Sequence, residues 1–212
     1  MPETPNIVSL QRHLSTAVIT IDNPPVNALS QPVRQGLLDC LEAAEADPQV
    51  KIIVIHCTGR TFVAGADIAE FGKPPVEPHL PDVLNAIEQS AKPVVAALHG
   101  TALGGGFELA LACHYRIALR GSRVGLPEVT LGLIPGAGGT QRLPRLAGLE
   151  TALQMITLGK PVMVENLTET LADSLVNSGK PVINSLVIDS LVINSFVINS
   201  LVEKDLLPSA IQ

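Results

Sequence analysis

Four short runs of apolar and β-branched residues constrain this chain more than any other feature. They are "STAVITID" (15–22), "VKIIVIHC" (50–57), "KPVVAALHG" (92–100) and "HYRIAL" (114–119). Continuous apolarity over so few residues is the mark of a strand buried on both faces. Helix-length segments stand between them. In residues 32–46, Val33, Leu37, Leu38, Leu41 and Ala44 fall on one face, with Ser30 at the N-cap position and Asp47-Pro48 as the stop. "NPPVN" (23–27) is a turn by composition, and a short helix should begin near Asp67. The proline-rich residues 72–81 read as an exposed loop. Further helices are expected over 82–90, 140–147 and 149–158, with "LPEVTLGLIPGAGGT" (126–140) as a loop. Short strands alternating with helices make the fold class α/β, built in layers.

Composition narrows what such a fold can bind. The chain has 212 residues, enough for one sizeable domain or one domain with an extension. It is 46% hydrophobic but only 2% aromatic, so its core must be aliphatic. A net charge of −6 with no basic cluster argues against nucleic acid. No stretch reaches the roughly 20 uninterrupted apolar residues of a membrane helix. "MPETPNIVSL" lacks the basic start and apolar run of a signal peptide, so a cytoplasmic location is expected. Cys40, Cys57 and Cys113 lie in apolar contexts without CxxC spacing and read as reduced core thiols. His56, His99 and His114 lack metal-ligand spacing, so no metal site is expected.

The chemistry concentrates around glycine. In "HGTALGGGFELALAC" (99–113), Gly104, Gly105 and Gly106 lead into an apolar helix carrying one carboxylate, Glu108. Residues without a Cβ let backbone amides approach a ligand, and amides at a helix start sit at its positive end. Such amides suit an oxyanion, and "AGAD" (64–67) is a second small-residue turn that could supply a second donor. On composition alone, a plain tight connection is the stronger reading of each turn. Glu128, in "GLPEVTLGL", stands in another apolar stretch. Two half-buried carboxylates could divide acid and base work, although spacing alone favours two surface glutamates. There is no GxxxxGK[ST] for phosphate and no GxSxG nucleophile elbow.

Four of these segments, "NPPVNALS", "TFVAGADI", "KPVVAALHGTALGGGFELALACHYRIA" and "LPEVTLGLIPGAGGTQRLPRLAG", resemble the crotonase superfamily of enoyl-CoA hydratases and isomerases. The wording is nearest to the N-terminal hydratase part of multifunctional β-oxidation proteins. The resemblance spans about residues 5–160 and implies a crotonase-like spiral of ββα units that binds an acyl-CoA thioester. It assigns the oxyanion amides to Ala66 and Gly105, water activation to Glu108 and proton delivery to the α-carbon to Glu128. Ala64, Asp67, Ile68, Gly104 and Pro127 would contact substrate, and Arg60 would approach a CoA phosphate. Reversible hydration of trans-2-enoyl-CoA is the implied reaction. The alternatives are Δ3-Δ2 isomerisation and a non-catalytic acyl-CoA-binding remnant. No cofactor is implied beyond the coenzyme A of the substrate. Partners would be further copies in a homotrimer, or a dehydrogenase subunit.

The C-terminal part departs from that pattern. "INSLVIDSLVINSFVINSLV" (183–202) is four copies of a five-residue unit, a period that matches neither helix nor strand. Residues 179–200 read as a β-prone insertion between "ADSLVNS" (172–178) and "LVEKDLLPSAIQ" (201–212), in a C-terminus otherwise truncated. The expected organisation is a crotonase-like domain over 1–160 and a degenerate segment over 161–212.

Overall fold

The computed structural model describes residues 7–167 and 185–188. A large sheet runs in the order β1 (Val8–His13), β2 (Thr16–Ile21), β3 (Ile52–Cys57), β4 (Val94–Leu98), β6 (Tyr115–Leu119), β9 (Ser185–Ile188). Only the β1–β2 hairpin is antiparallel; every later pairing is parallel. A small sheet holds β5 (Thr101–Leu103), β7 (Arg123–Gly125) and β8 (Val162–Met163).

Parallel neighbours cannot be joined by a tight turn, so the chain must leave the sheet and return between them. Here each excursion follows one route. After β2 the chain makes a bridge at Leu29 to Ala66, then enters helix α1 (Gln31–Ala46). After β3 it bridges Val63 to Ala102, then passes through a 3-10 turn at Ile68–Glu70 into α2 (Leu80–Glu88). After β4 comes β5, then α3 (Gly105–Ala112). After β6 comes β7, then a 3-10 turn at Pro127–Leu131 leading to α4 (Gly139–Ala147) and α5 (Leu149–Leu158). Large-sheet strand, small-sheet strand or bridge, then helix: this is the expected spiral of ββα units. The aliphatic core is also as composition required, with Ile19, Ile21, Ile53, Ile55 and Leu37 all buried.

Several expectations shift by a physical cause. Helix α2 begins at Leu80, within the stretch expected to be loop, because Pro81 falls in its first turn, where a missing N–H costs nothing. Ser30 holds the N-cap position of α1 but its side chain makes no capping bond. A distant carboxylate replaces it: the Gln31 amide donates to Glu70 Oε1 at 2.6 Å. Packing continues past residue 160, since β8 pairs with β7 and Val164 is buried in the same core. The repeat, expected to fit no regular element, contributes β9, whose backbone pairs parallel with the edge strand β6. Four residues of a five-residue unit suffice for a short strand, and an edge strand offers unpaired backbone groups to receive it. The remaining repeat residues and the proposed insertion junctions lie outside the described residues.

One buried cation ties the loops to α1. Arg34, on α1, donates to the carbonyls of Leu29, Val76 and Pro78 and to Glu70 Oε2 at 2.7–3.0 Å. Its side chain is 8% exposed, whereas that of Glu70 is 38% exposed. Arg34→Met should therefore cost about 3 kcal/mol, because it leaves three carbonyls and a carboxylate without their donor. Glu70→Gln keeps the acceptor for Gln31 and should cost about 1 kcal/mol or less. Urea midpoints of the two variants check the contrast.

Candidate active site

Three returns of the spiral meet at one place. Val63, Ala66 and Leu29 are held by the bridges between successive turns, so the segment 63–67 is fixed by its neighbours rather than by its own composition. Helix α3 sits directly on it: a Cβ on Gly106 would collide with the Val63 carbonyl oxygen. Gly104, at φ +51°, makes the sharp entry to that helix. A Cβ on Gly105 would lie 3.6 Å from the Ala66 nitrogen, so the two backbone amides are neighbours. Among the described residues, neither amide donates a hydrogen bond. Two adjacent donors, one at a helix start, are thus left for an acceptor that the described residues do not provide.

Glu108 stands in the first turn of α3 and is 2% exposed. Its Oε1 accepts from the Ala137 and Gly139 amides, both at 2.8 Å. Gly139 is the first residue of α4, and a Cβ there would sit 2.9 Å from Oε1. Oε2 accepts no bond from the described residues. Burial pushes the Glu108 carboxyl above its ordinary value, opposed by the amides of Gly139 and Ala137 and by the charge of Arg142.

Glu128 lies in the 3-10 turn Pro127–Leu131, with Oε1 only 3.1 Å from the position a Cβ on Gly104 would occupy. Its Oε2 is buried without a hydrogen-bond partner. Burial pushes this carboxyl up, opposed by the backbone amide of Glu128 itself, and the charge of Glu108 pushes it further up. The two glutamates therefore differ: one is anchored by outside donors, the other has none.

Ala66, Gly105, Glu108 and Glu128 all line a cavity of about 350 Å³, otherwise apolar, together with Ala64, Ile68, Gly104 and Pro127. Two expected contacts fall outside it. The Asp67 carboxylate accepts from the Ala69 amide and so caps the 3-10 turn. Arg60 is exposed on the loop after β3. The wall also contains Phe71, Leu80, Leu131, Leu133 and Ile134, of which Phe71, Leu131, Leu133 and Ile134 are exposed. Residue-type reasoning passed over these and the Ala137–Gly139 amides. A signal for the amides existed in "PGAGG" just before a helix, the same pattern as the first glycine turn.

The other reactive side chains serve the scaffold. Burial raises the thiols of Cys57 and Cys113, the latter to about 12, so both are inert at neutral pH. His56 pairs with the Thr20 hydroxyl at 2.8 Å, and His114 Nδ1 accepts from the Val94 amide. Among the described residues no three His, Cys, Asp or Glu gather as a metal site would require.

Comparison with known proteins places this geometry in a family. The family model for enoyl-CoA hydratase/isomerase matches residues 11–177. The chain belongs to that family. It is 51% identical over 183 residues to the peroxisomal bifunctional enzyme of Danio rerio, covering 79% of this chain and 26% of that protein. It is 48% identical over 164 residues to a probable enoyl-CoA hydratase of Bacillus subtilis, covering 74% of this chain and 64% of the relative. The chain thus spans about a quarter of the first relative and under two thirds of the second. Among solved structures, the enoyl-CoA hydratase of Bacillus anthracis superimposes with a TM-score of 0.77 at 29% identity, covering 93% of this chain and 74% of that one.

The carboxylate of Glu128, half-buried and with Oε2 unpartnered among the described residues, should burden the fold at neutral pH. Its raised folded-state value means that ionising it is harder in the folded than in the unfolded chain. Below the ordinary glutamate range both states are protonated and the burden vanishes; it grows as pH rises toward and past the raised value. Glu128→Gln should therefore stabilise the protein by up to about 1 kcal/mol at neutral pH. Urea titrations at several pH values should show the gain shrinking toward pH 4.

Proposed function

We propose that the protein is an enoyl-CoA hydratase that adds water reversibly to a trans-2-enoyl-CoA thioester, as in fatty-acid β-oxidation. One observation carries this reading: the amides of Ala66 and Gly105, both without acceptors among the described residues, line the same cavity as Glu108 and Glu128. An α,β-unsaturated thioester develops negative charge on its carbonyl oxygen when a nucleophile adds at the β-carbon. Two preplaced amides stabilise that charge without reorganising. They do the electrophilic work, so the proposal includes no metal or redox cofactor.

The carboxylates divide the remaining steps. Glu108, held by two amides and near Arg142, is the better supported as the ionised base. Its free Oε2 takes a proton from water as the water oxygen bonds to the β-carbon. Glu128, pushed toward its protonated form by burial and by Glu108, gives its proton to the α-carbon. One water is consumed and one proton moves through each carboxyl, so the double bond is saturated with no net change in charge. Ala64, Ile68, Gly104 and Pro127 form the walls along which the acyl chain would lie. Association with a dehydrogenase is part of the proposal, supported by the bifunctional naming of the Danio rerio relative, and assembly with further copies is proposed from the family resemblance alone.

Isomerisation of a Δ3-enoyl thioester is the second reading, since it needs a single proton shuttle at Glu128. The anchoring of Glu108 favours hydration, because isomerisation has no use for a second oriented base.

Loss of the conjugated thioester absorbance of crotonyl-CoA follows the reaction directly. Glu108→Gln and Glu128→Gln should each slow hydration by roughly 10²–10⁴-fold with little change in acyl-CoA affinity. Gly105→Pro tests the amide itself. Proline is tolerated at the first position of a helix, so α3 should persist while the donor disappears, at a cost of about 10²–10³ in kcat. A Glu108→Gln protein that still shifts a Δ3 double bond at the wild-type rate, from a parent that never hydrates, would establish the isomerase instead.

A further inference from the structure

Arg142 does not itself line the cavity, yet it is bonded to Ala137, a wall residue in the segment that anchors Glu108. Its side chain, on α4, is 11% exposed. Nη1 donates to the Ala137 carbonyl at 2.7 Å, while the Ala137 amide donates to Glu108 Oε1. The rest of the guanidinium faces α2: Nε and Nη2 grip the two oxygens of Glu88 at 3.2 and 2.8 Å, and Nη2 also reaches Asn85 Oδ1 at 3.1 Å. A two-pronged Arg–carboxylate pair fixes both the position and the plane of the guanidinium. The α2 helix it grips also supplies Leu80 and Pro81 to the cavity wall. One side chain thus joins α2, the loop before α4 and, through the single residue Ala137, the carboxylate on α3.

We propose that Arg142 is the positioning residue for Glu108, holding the Ala137–Gly139 segment so that its amides clamp Oε1 and leave Oε2 to act on water. This rests on the hydratase reading but makes a claim about Glu108 geometry that can be measured without turnover. The physical reason is that the anchoring amides belong to a glycine-rich turn with little stiffness of its own. Gly136, Gly138 and Gly139 surround Ala137, and the peptide plane of the Ala137 carbonyl lies between the two planes whose amides hold Glu108, so a fixed donor on that carbonyl limits how either can turn. Arg142 supplies that donor from a helix, and Glu88 and Asn85 prevent it from swinging away. The charge of Arg142 adds a second effect in the same direction, opposing the burial that raises the Glu108 carboxyl. The charged groups at that carboxyl are Arg142 from α4, which opposes the burial, and Glu128 from the 3-10 turn, whose own carboxyl Glu108 pushes up; Glu88 on α2 faces Arg142 and is held by it.

The test compares Arg142→Gln, Arg142→Lys and, as a control for charge loss on the same helix, Arg145→Gln. Arg142→Gln should lower kcat by roughly 10–100-fold, the usual effect of a slightly misplaced catalytic group, with KM nearly unchanged. The acid limb of its kcat–pH profile should move to higher pH, since a cation that favours the ionised carboxylate is gone. Arg142→Lys keeps the charge but not the fork, so kcat should fall while the acid limb stays near the wild-type position. In a Glu108→Gln background, Arg142→Gln should cost little more, because both changes act through one group. Amide exchange at Ala137 and Gly139, followed by NMR, should accelerate in both Arg142 variants and not in Arg145→Gln. Wild-type kcat in Arg142→Lys and Arg142→Gln would overturn the proposal. So would unchanged exchange at Ala137 and Gly139 in Arg142→Lys, the variant chosen in case Arg142→Gln fails to fold. If the wild-type protein hydrates no enoyl thioester, the hydratase reading fails, and amide exchange alone still decides whether Arg142 holds the Glu108 anchor.

Discussion

Parallel pairing of β2, β3, β4 and β6 is the constraint on which the rest depends. It obliges the chain to leave and re-enter the large sheet three times in the same sense. Each exit passes through a bridge or strand that pairs with the exit of the next turn, Leu29 with Ala66, Val63 with Ala102, and β5 with β7. The exits therefore stack, and the residues just past them stack too. That is why Ala66, Gly105 and Glu128, far apart in sequence, share one cavity. The site is a by-product of the winding; the glycines then remove whatever would obstruct it.

The cavity is costly in a way the fold alone would not require. It keeps two carboxyls in apolar surroundings and, among the described residues, leaves two backbone donors and one oxygen of each carboxylate without partners. Globular proteins avoid each of these separately. Their coincidence at one point, while Arg34, Thr61 and Asn27 elsewhere satisfy neighbouring loops in full, marks the place where stability has been given up for chemistry. The ties are arranged accordingly. Arg34 secures the loop on one side of the cavity and Arg142 the loop on the other, each by donating to main-chain carbonyls.

Much of this was legible in the residues. The four apolar runs became β2, β3, β4 and β6, because strands buried on both faces need no partner-dependent alternation to be seen. The elements that escaped are those whose existence depends on pairing. β1, half exposed along an edge, and the three-residue β5 and β7 carry no periodic signal of their own. The same division holds at the site. Glu108 and Glu128 were visible as charges in apolar stretches, whereas the resemblance was needed to single out the amides of Ala66 and Gly105, which have no side-chain chemistry to announce them. The anchor of Glu108 was hardest to see. It is made by backbone of Ala137 and Gly139, twenty-nine and thirty-one residues away, and by an arginine whose role depends on where a turn places it.

The pairing of β9 with β6 has a consequence for how the chain finds its register. The tetrapeptide "SLVI" that forms β9 at Ser185–Ile188 recurs without change at 190–193, and as "SFVI" at 195–198. A strand is normally held in register because a slip of one residue turns its whole pattern inside out. A slip of five here brings up the same four residues facing the same way. The tetrapeptide that pairs with β6 is thus not unique in the sequence, and its side-chain pattern alone does not specify the register of β9. A gene that gained or lost one unit would still present a matching strand to β6, so the count of units is free to drift while the edge stays covered.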